Sequence, residues 1–300
     1  MKTVKILIKR NTKLFFKDKG LFFTALITPV ILLVLYVTFL GDIYRDSFIM
    51  NLPADLANAE KLIDACVGGQ LISSMLAVSC VTIAFCSNML MVQDKANRTL
   101  KDLTISPVRP SQLAIGYYCA TLVSTLIICF AATFACLVYM AIVGWYMSAL
   151  DVILLVLDVF MLVMFGTALS SIVNFFLSTL GQISAVGTIV SIGYGYICGA
   201  YMPISQFADG LQVVISFLPG TYGTALLKNH AMRGALSEIK NAGLTDEAFE
   251  ALKDAIDCNL YFFDTKVPLG TMYIILGTTV ALLLGIYILM NVISIKKRKG

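Results

Sequence analysis

The chain has 300 residues, 59% of them hydrophobic and only 13% charged, with a mean hydropathy of +0.87. Soluble domains run near 45–50% apolar and about 25% charged, so a soluble fold, a disordered chain and a disulfide-stapled secreted module are all excluded. The net charge of +4 is informative only through where the charges sit.

Residues 2–17 place Val4, Leu7, Ile8, Leu14 and Phe15 on one helical face. Lys2, Lys5, Lys9, Lys13 and Lys17 lie mainly on the other. This predicts a basic amphipathic helix within residues 1–20 that lies along a membrane interface, as an anchor or as a lever for a cytoplasmic partner. A bilayer core of about 30 Å needs about 20 apolar residues per helix. Six stretches meet that length, at roughly 21–40, 71–93, 113–143, 149–178, 183–202 and 269–294. The expected fold is therefore an all-α integral membrane protein, with a six-helix transmembrane domain over 21–294.

Between these spans lie segments of unequal character. Residues 41–70 are expected as an outer loop with a short helix from near Pro53 to about Cys66. Residues 94–112 form an inner loop of mixed charge, in which Asp94 to Leu103 can be helical and Pro107 and Pro110 end the helix. Residues 203–268 form the largest outer segment. Its first half is apolar but broken by Gly210, Pro219, Gly220 and Gly223, which suits re-entrant or interfacial helices. Its second half starts a helix at Thr245, with Asp246 and Glu247 at the positive end of the dipole and Ala248, Leu252 and Ile256 as a thin apolar stripe. Residues 295–300 are a basic cytoplasmic tail.

With the N-terminus inside, the inner segments hold 15 Lys and Arg and the outer ones 7. The positive-inside rule then sets both termini in the cytoplasm. Trp145 and Tyr146 fit an outer aromatic anchor. Span 5 carries Gly187, Ser191, Gly193, Gly195 and Gly199, and the Gly195/Gly199 pair is a small-xxx-small motif for close helix packing.

Catalytic tools are sparse. Six of the eight cysteines (Cys80, Cys86, Cys119, Cys129, Cys136, Cys198) fall in apolar runs and no CxxC occurs. Cys66 and Cys258, in outer segments, are a possible disulfide. No GxxxxGK[ST] is present, so the chain lacks the usual phosphate-cradling loop. The single histidine, His230, reads as a solvated or hydrogen-bonded bystander, and there is no HExxH. Only Asp158 is clearly inside a span, about 10 Å below its outer end. An intramembrane carboxylate is a functional candidate by default; the alternative is that it snorkels outward or bonds a neighbouring helix.

Three local patterns resemble the membrane subunit of type-2 ABC exporters. RNTKLFFKDKGLFFTALITPVILLVLY is similar to that family's interface helix and first span, with an early Pro29. DKANRTLKDLTISPVRPSQLAIGYY matches its inner loop, E-x-G-T-L-x-x-L-x-x-S/T-P, at Thr99, Leu100, Leu103, Ser106 and Pro107. Asn97 and Arg98 stand where an acidic residue and glycine are common. CGAYMPISQFADGLQVVISFLPGTYGTALLK matches its span-5 exit at Gly199, Pro203, Leu218, Pro219, Tyr222 and Leu226.

The resemblance implies six spans, outer re-entrant helices after span 5, and a separate ABC ATPase that binds the ATP and Mg. No cofactor is expected on this chain and no nucleic-acid partner. It implies pairing with a second permease copy or a paralogue in a plasma membrane, with a bacterial one expected. Lys9, Lys13, Thr99, Leu100, Asp102 and Leu103 become the expected ATPase-coupling residues. Ser191, Tyr194 and Cys198, on span 5, are expected along a substrate path formed with span 2. The expected cargo is an amphipathic drug, peptide or lipid-like molecule moved outward. Two other readings stand beside it: a proton-linked secondary efflux transporter using Asp158, and a non-transporting membrane sensor or anchor subunit.

Overall fold

The computed structural model describes residues 2–51, 60–105, 108–263 and 265–299. Twelve α-helices follow in chain order among them: α1 Lys2–Lys17, α2 Lys19–Leu35, α3 Gly41–Asn51, α4 Glu60–Ala96, α5 Thr99–Ile105, α6 Pro110–Val143, α7 Ala149–Phe176, α8 Leu180–Ile197, α9 Asp209–Ser216, α10 Pro219–Asn241, α11 Asp246–Ala255 and α12 Leu269–Lys299. A two-stranded antiparallel hairpin, β1 Tyr261–Phe262 and β2 Thr265–Lys266, lies between α11 and α12. Among the described residues six helices are long and apolar enough to cross a membrane: Lys19–Asp46, Glu60–Ala96, Pro110–Val143, Ala149–Phe176, Leu180–Ile197 and Leu269–Ser294. The chain is an all-α integral membrane protein.

Local chemistry sets the helix starts. The Asp18 carboxylate accepts from the Leu21 N–H at the start of α2, and the Thr245 hydroxyl accepts from the Ala248 N–H at α11. Reciprocal capping boxes pair Ser148 with Asp151 at α7 and Thr179 with Gln182 at α8. Pro219 sits in the first turn of α10, where its missing N–H costs nothing.

α4 is the hub. It packs against α2, α6, α7, α8 and α10, and 83% of its most apolar stretch is buried, against 29% for the first span and 11% for α8. α2 and α8 are therefore peripheral helices. Because lipid offers no hydrophobic drive between helices, small residues and polar contacts hold the core. At Gly166 of α7 a Cβ would lie 2.9 Å from the Cys80 carbonyl of α4, so only glycine permits this crossing. One turn further in, Asn88 of α4 donates to the hydroxyls of Ser170 and Ser171 on α7 at 3.1 Å each. Its side-chain oxygen accepts from Thr121 of α6.

Several segments differ from the sequence expectation. The first span does not stop at residue 40: a π-helical turn, Tyr36–Leu40, carries it into α3. The Tyr36 hydroxyl there donates to the Val67 carbonyl of α4. The expected short helix from Pro53 falls partly outside the described residues, and from Glu60 onward it is simply the start of α4. In the segment expected as an inner loop, α4 runs to Ala96, Arg98 turns the chain at φ 62°, and α5 follows. Pro107 is outside the described residues. Pro110 opens α6 rather than ending a helix, because proline fits a first turn. Gly220 and Gly223 do not break the chain but lie inside α10, which meets the segment Gly210–Ser216 at 84°. The basic run expected as a tail continues α12 to Lys299, with side chains from residue 295 onward outside the described set.

The Gly195/Gly199 pair serves a turn rather than a helix contact. The Tyr201 ring occupies the space of a Gly195 Cβ, at 2.3 Å, and the Ala200 and Tyr201 N–H groups donate to the Gly195 carbonyl. Gly199 then takes φ +71°, the left-handed conformation that ends helices.

Candidate functional site

A groove of about 830 Å³ runs between the first span and α8, with Cys86 and Met89 of α4 as its floor. Its walls are Ile27, Ile31, Leu35 and Phe39 on one side and Ile183, Gly187 and Ile192 on the other. Hydroxyls punctuate both: Thr24 and Thr28 at helical spacing on α2, and Ser184, Thr188 and Ser191 on α8. Thr24 and Thr188 donate to their own helices' carbonyls, which satisfies them in a low-dielectric wall. Tyr44, Tyr196, Tyr201 and Gln206 line one end, and none of the lining residues is charged. Such a surface suits a neutral or amphipathic occupant.

Of the three expected path residues, Ser191 lines this groove. Tyr194 and Cys198 do not, because they face the bundle interior. Tyr194 packs on the α4–α7 core with its hydroxyl close against Gly220 of α10. Cys198 is 2% exposed, beside Val78 and Leu32.

At the end of the bundle that holds α1 and α5, one carboxylate joins three helices. Arg10 of α1 forks onto Asp94 of α4, with Nη1 to Oδ2 at 2.8 Å and Nη2 to Oδ1 at 3.1 Å. The Tyr117 hydroxyl of α6 donates to the same carboxylate at 2.6 Å. The next residue, Lys95, donates to the carbonyls of Asn174, Phe175 and Leu177 and so caps the C-terminal end of α7. Leu100 and Leu103 pack inward on a cluster with Leu7, Met91, Leu113 and Tyr117. They fasten α5 to the bundle. Thr99 is half-buried, Lys9 and Lys13 are exposed, and the Asp102 side chain lies outside the described residues.

At the opposite end, α10 carries two titratable groups inward, His230 and Lys228. His230 Nδ1 lies 2.6 Å from Asp158 Oδ2 on α7, and the Tyr273 hydroxyl of α12 donates to Asp158 Oδ1. Of the two readings of His230, solvated or hydrogen-bonded, the structure shows the second: it is 3% exposed and ties α10 to Asp158, which is 0% exposed. Asp158 bonds neighbouring helices rather than snorkelling. Lys228, also fully buried, donates to the Gly199 carbonyl at 2.9 Å and to Asp257 at 3.1 Å. Asp257 accepts in turn from the Ile204 N–H. Arg233 reaches Asp151 at 3.4 Å. Sequence reasoning missed Lys228 and Arg10; Lys228 follows the apolar run 225–227, where burial demands a partner, whereas Arg10 is one of six basic residues on α1 and carries no separate signal.

Cys66 and Cys258 are free thiols, both buried in one cluster with Met232, Leu236 and Leu252. Burial pushes the Cys258 thiol up to about 12, so it is a neutral, weakly nucleophilic sulfur. In the native protein at pH 8 Cys258 will resist alkylation by iodoacetamide and react only after unfolding, as peptide mass mapping will show.

With this geometry in hand, comparison with known families is decisive. The model of the ABC-2 type transporter family matches residues 2–229. The chain belongs to that family. No curated protein matches the chain. This ABC-2 protein is thus a permease subunit of an ABC transporter, and the matched stretch includes α1, the groove, the Asp94 clamp and Lys228.

Proposed function

We propose that this permease is the membrane half of an ATP-driven exporter, moving an amphipathic drug, peptide or lipid-like cargo outward while a separate ABC ATPase binds ATP and Mg. The observation that carries the reading is the groove: 830 Å³, uncharged, and open along one flank of the bundle between the first span and α8, the least buried of the six described spans. A second copy or a paralogue laid against α2 and α8 would turn that open flank into an enclosed path. Both termini would be cytoplasmic in a bacterial plasma membrane, with α9 and α10 as outer re-entrant helices after span 5.

Coupling would work through the α1/α5 end. The ATPase must bind one state of the permease better than the other. Contacts on exposed Lys9 and Lys13 and on α5 would move α1 and α5 as they favour one state. The Arg10–Asp94–Tyr117 clamp would pass that motion to α4, and Lys95 would pass it on to α7.

Filling the groove tests the path. Thr188 is exposed on its α8 wall, so Thr188→Trp should fold normally and still bind the ATPase. Export by the ATPase–permease complex in inverted vesicles should fall roughly tenfold or more, the scale of a coupling worth 1–3 kcal/mol. Unchanged export with the tryptophan in place would remove the groove from the path. The proton-linked reading makes an opposite forecast, that the chain alone transports on a pH jump without ATP.

A further inference from the structure

A second apolar groove, of about 490 Å³, opens beside the N-terminal end of α12. Phe217 just after α9, Tyr222 of α10, Phe262 and Val267 at the hairpin, and Ile275 of α12 line it, with Lys266 at the rim. The volume is in the range of about 300–1,000 Å³ typical of small-molecule sites. Beside it, Phe217, Phe262 and Phe263 form a ring cluster with centroids 5.0–6.2 Å apart. Phe217 is 59% and Phe263 62% exposed. Phe263 holds φ 51°, a backbone that bulky residues rarely adopt, and this turn keeps an aromatic ring at the hairpin tip.

In water this would be a large exposed apolar patch. The patch is continuous with a surface that already faces lipid: α12 begins its membrane span at Leu269, three residues after β2, and Ile274 on it is 65% exposed. α9 adds exposed Leu211, Val213 and Val214 at the same end. At the rim, Lys266 donates to Glu250, so a cation and an anion stand side by side. The Lys266 ammonium holds the Glu250 carboxyl below its ordinary range, keeping that anion charged.

We propose that this groove is a phospholipid site: one acyl chain from the leaflet at the α12 N-terminal end fills it, and the aromatic hairpin tip inserts beside that lipid. The paired Lys266 and Glu250 match the phosphate and ammonium of a zwitterionic headgroup. The site is separate from the α2–α8 groove and does not depend on the transport reading.

The test uses the full chain with its single tryptophan removed. In a Trp145→Phe background, Phe263→Trp places one fluorophore at the tip. In vesicles of dibrominated phosphatidylcholine its emission should lose most of its intensity relative to unbrominated lipid, and aqueous iodide should not reach it. Native mass spectrometry of the detergent-purified protein should count one fewer retained phospholipid in Thr271→Phe, whose exposed side chain projects into the groove. Iodide quenching at position 263 would overturn the insertion. An inserted tip with an unchanged lipid count in Thr271→Phe would overturn the site.

Discussion

Lys228→Met should destabilise the protein by about 3–5 kcal/mol, the cost of leaving a buried partner charge uncompensated. The lysine is fully buried and holds two elements at once: the Asp257 carboxylate after α11 and the Gly199 carbonyl at the end of α8. Asp257, at 4% exposure, cannot turn to water when the ammonium goes. The Ile204 N–H is left as its main partner. Removing both charges, as in Lys228→Met with Asp257→Asn, should recover much of the loss. Asparagine tolerates the left-handed φ of 55° at position 257 and its side-chain oxygen can still accept from Ile204. Thermal unfolding in detergent, followed by tyrosine and tryptophan fluorescence, reads both. A single variant as stable as the parent would mean that the ion pair holds nothing. The consequence is local: Tyr201, Met202 and Pro203, which line one end of the groove, begin two residues after Gly199.

Asp94→Ala should leave a folded permease that no longer transmits. The carboxylate is 5% exposed and is the common partner of Arg10 on α1 and Tyr117 on α6. Its loss frees the Arg10 guanidinium, which is 30% exposed and can hydrate. The stability cost should therefore stay within roughly 1–3 kcal/mol. Permease-dependent stimulation of ATP hydrolysis and cargo export should fall together, by roughly tenfold on the usual scale of coupling energies. Arg10→Lys should be milder, since a lysine replaces the two-pronged contact with a point charge. ATPase stimulation measured across Asp94→Ala, Arg10→Lys and the parent gives the order. Equal stimulation in all three would remove the clamp from the coupling path.

How far residues alone reveal this molecule depends on which force places them. Span number and helical class were legible because about 20 apolar residues in a row have few other solutions. The α11 start was legible too, since Thr245 followed by Asp246 and Glu247 is a local signal. Ends were less so: nothing in YVTFLGD announces that a π turn carries the first helix on through α3. The Gly195/Gly199 spacing is shared by helix packing and by a turn that accepts the Tyr201 ring, and only the neighbouring chain decides between them. The polar contacts were hardest to read. His230 and Asp158 are 72 positions apart, and Arg10 and Asp94 are 84. A single sequence shows that each is costly to bury but not which partner offsets the cost. Cys198 makes the same point at short range, since α8 ends at Ile197 and the helical spacing from Ser191 no longer places it.

The central claim is that this permease works with an ATPase carried on another polypeptide. The direct measurement is to purify the affinity-tagged chain from its own membrane in mild detergent, then identify and quantify what comes with it. The expected result is an ABC ATPase in stoichiometric amount and ATP hydrolysis in the eluate that Asp94→Ala uncouples. A permease that emerges with no nucleotide-binding subunit, yet drives flux in vesicles on a proton gradient alone, would contradict it.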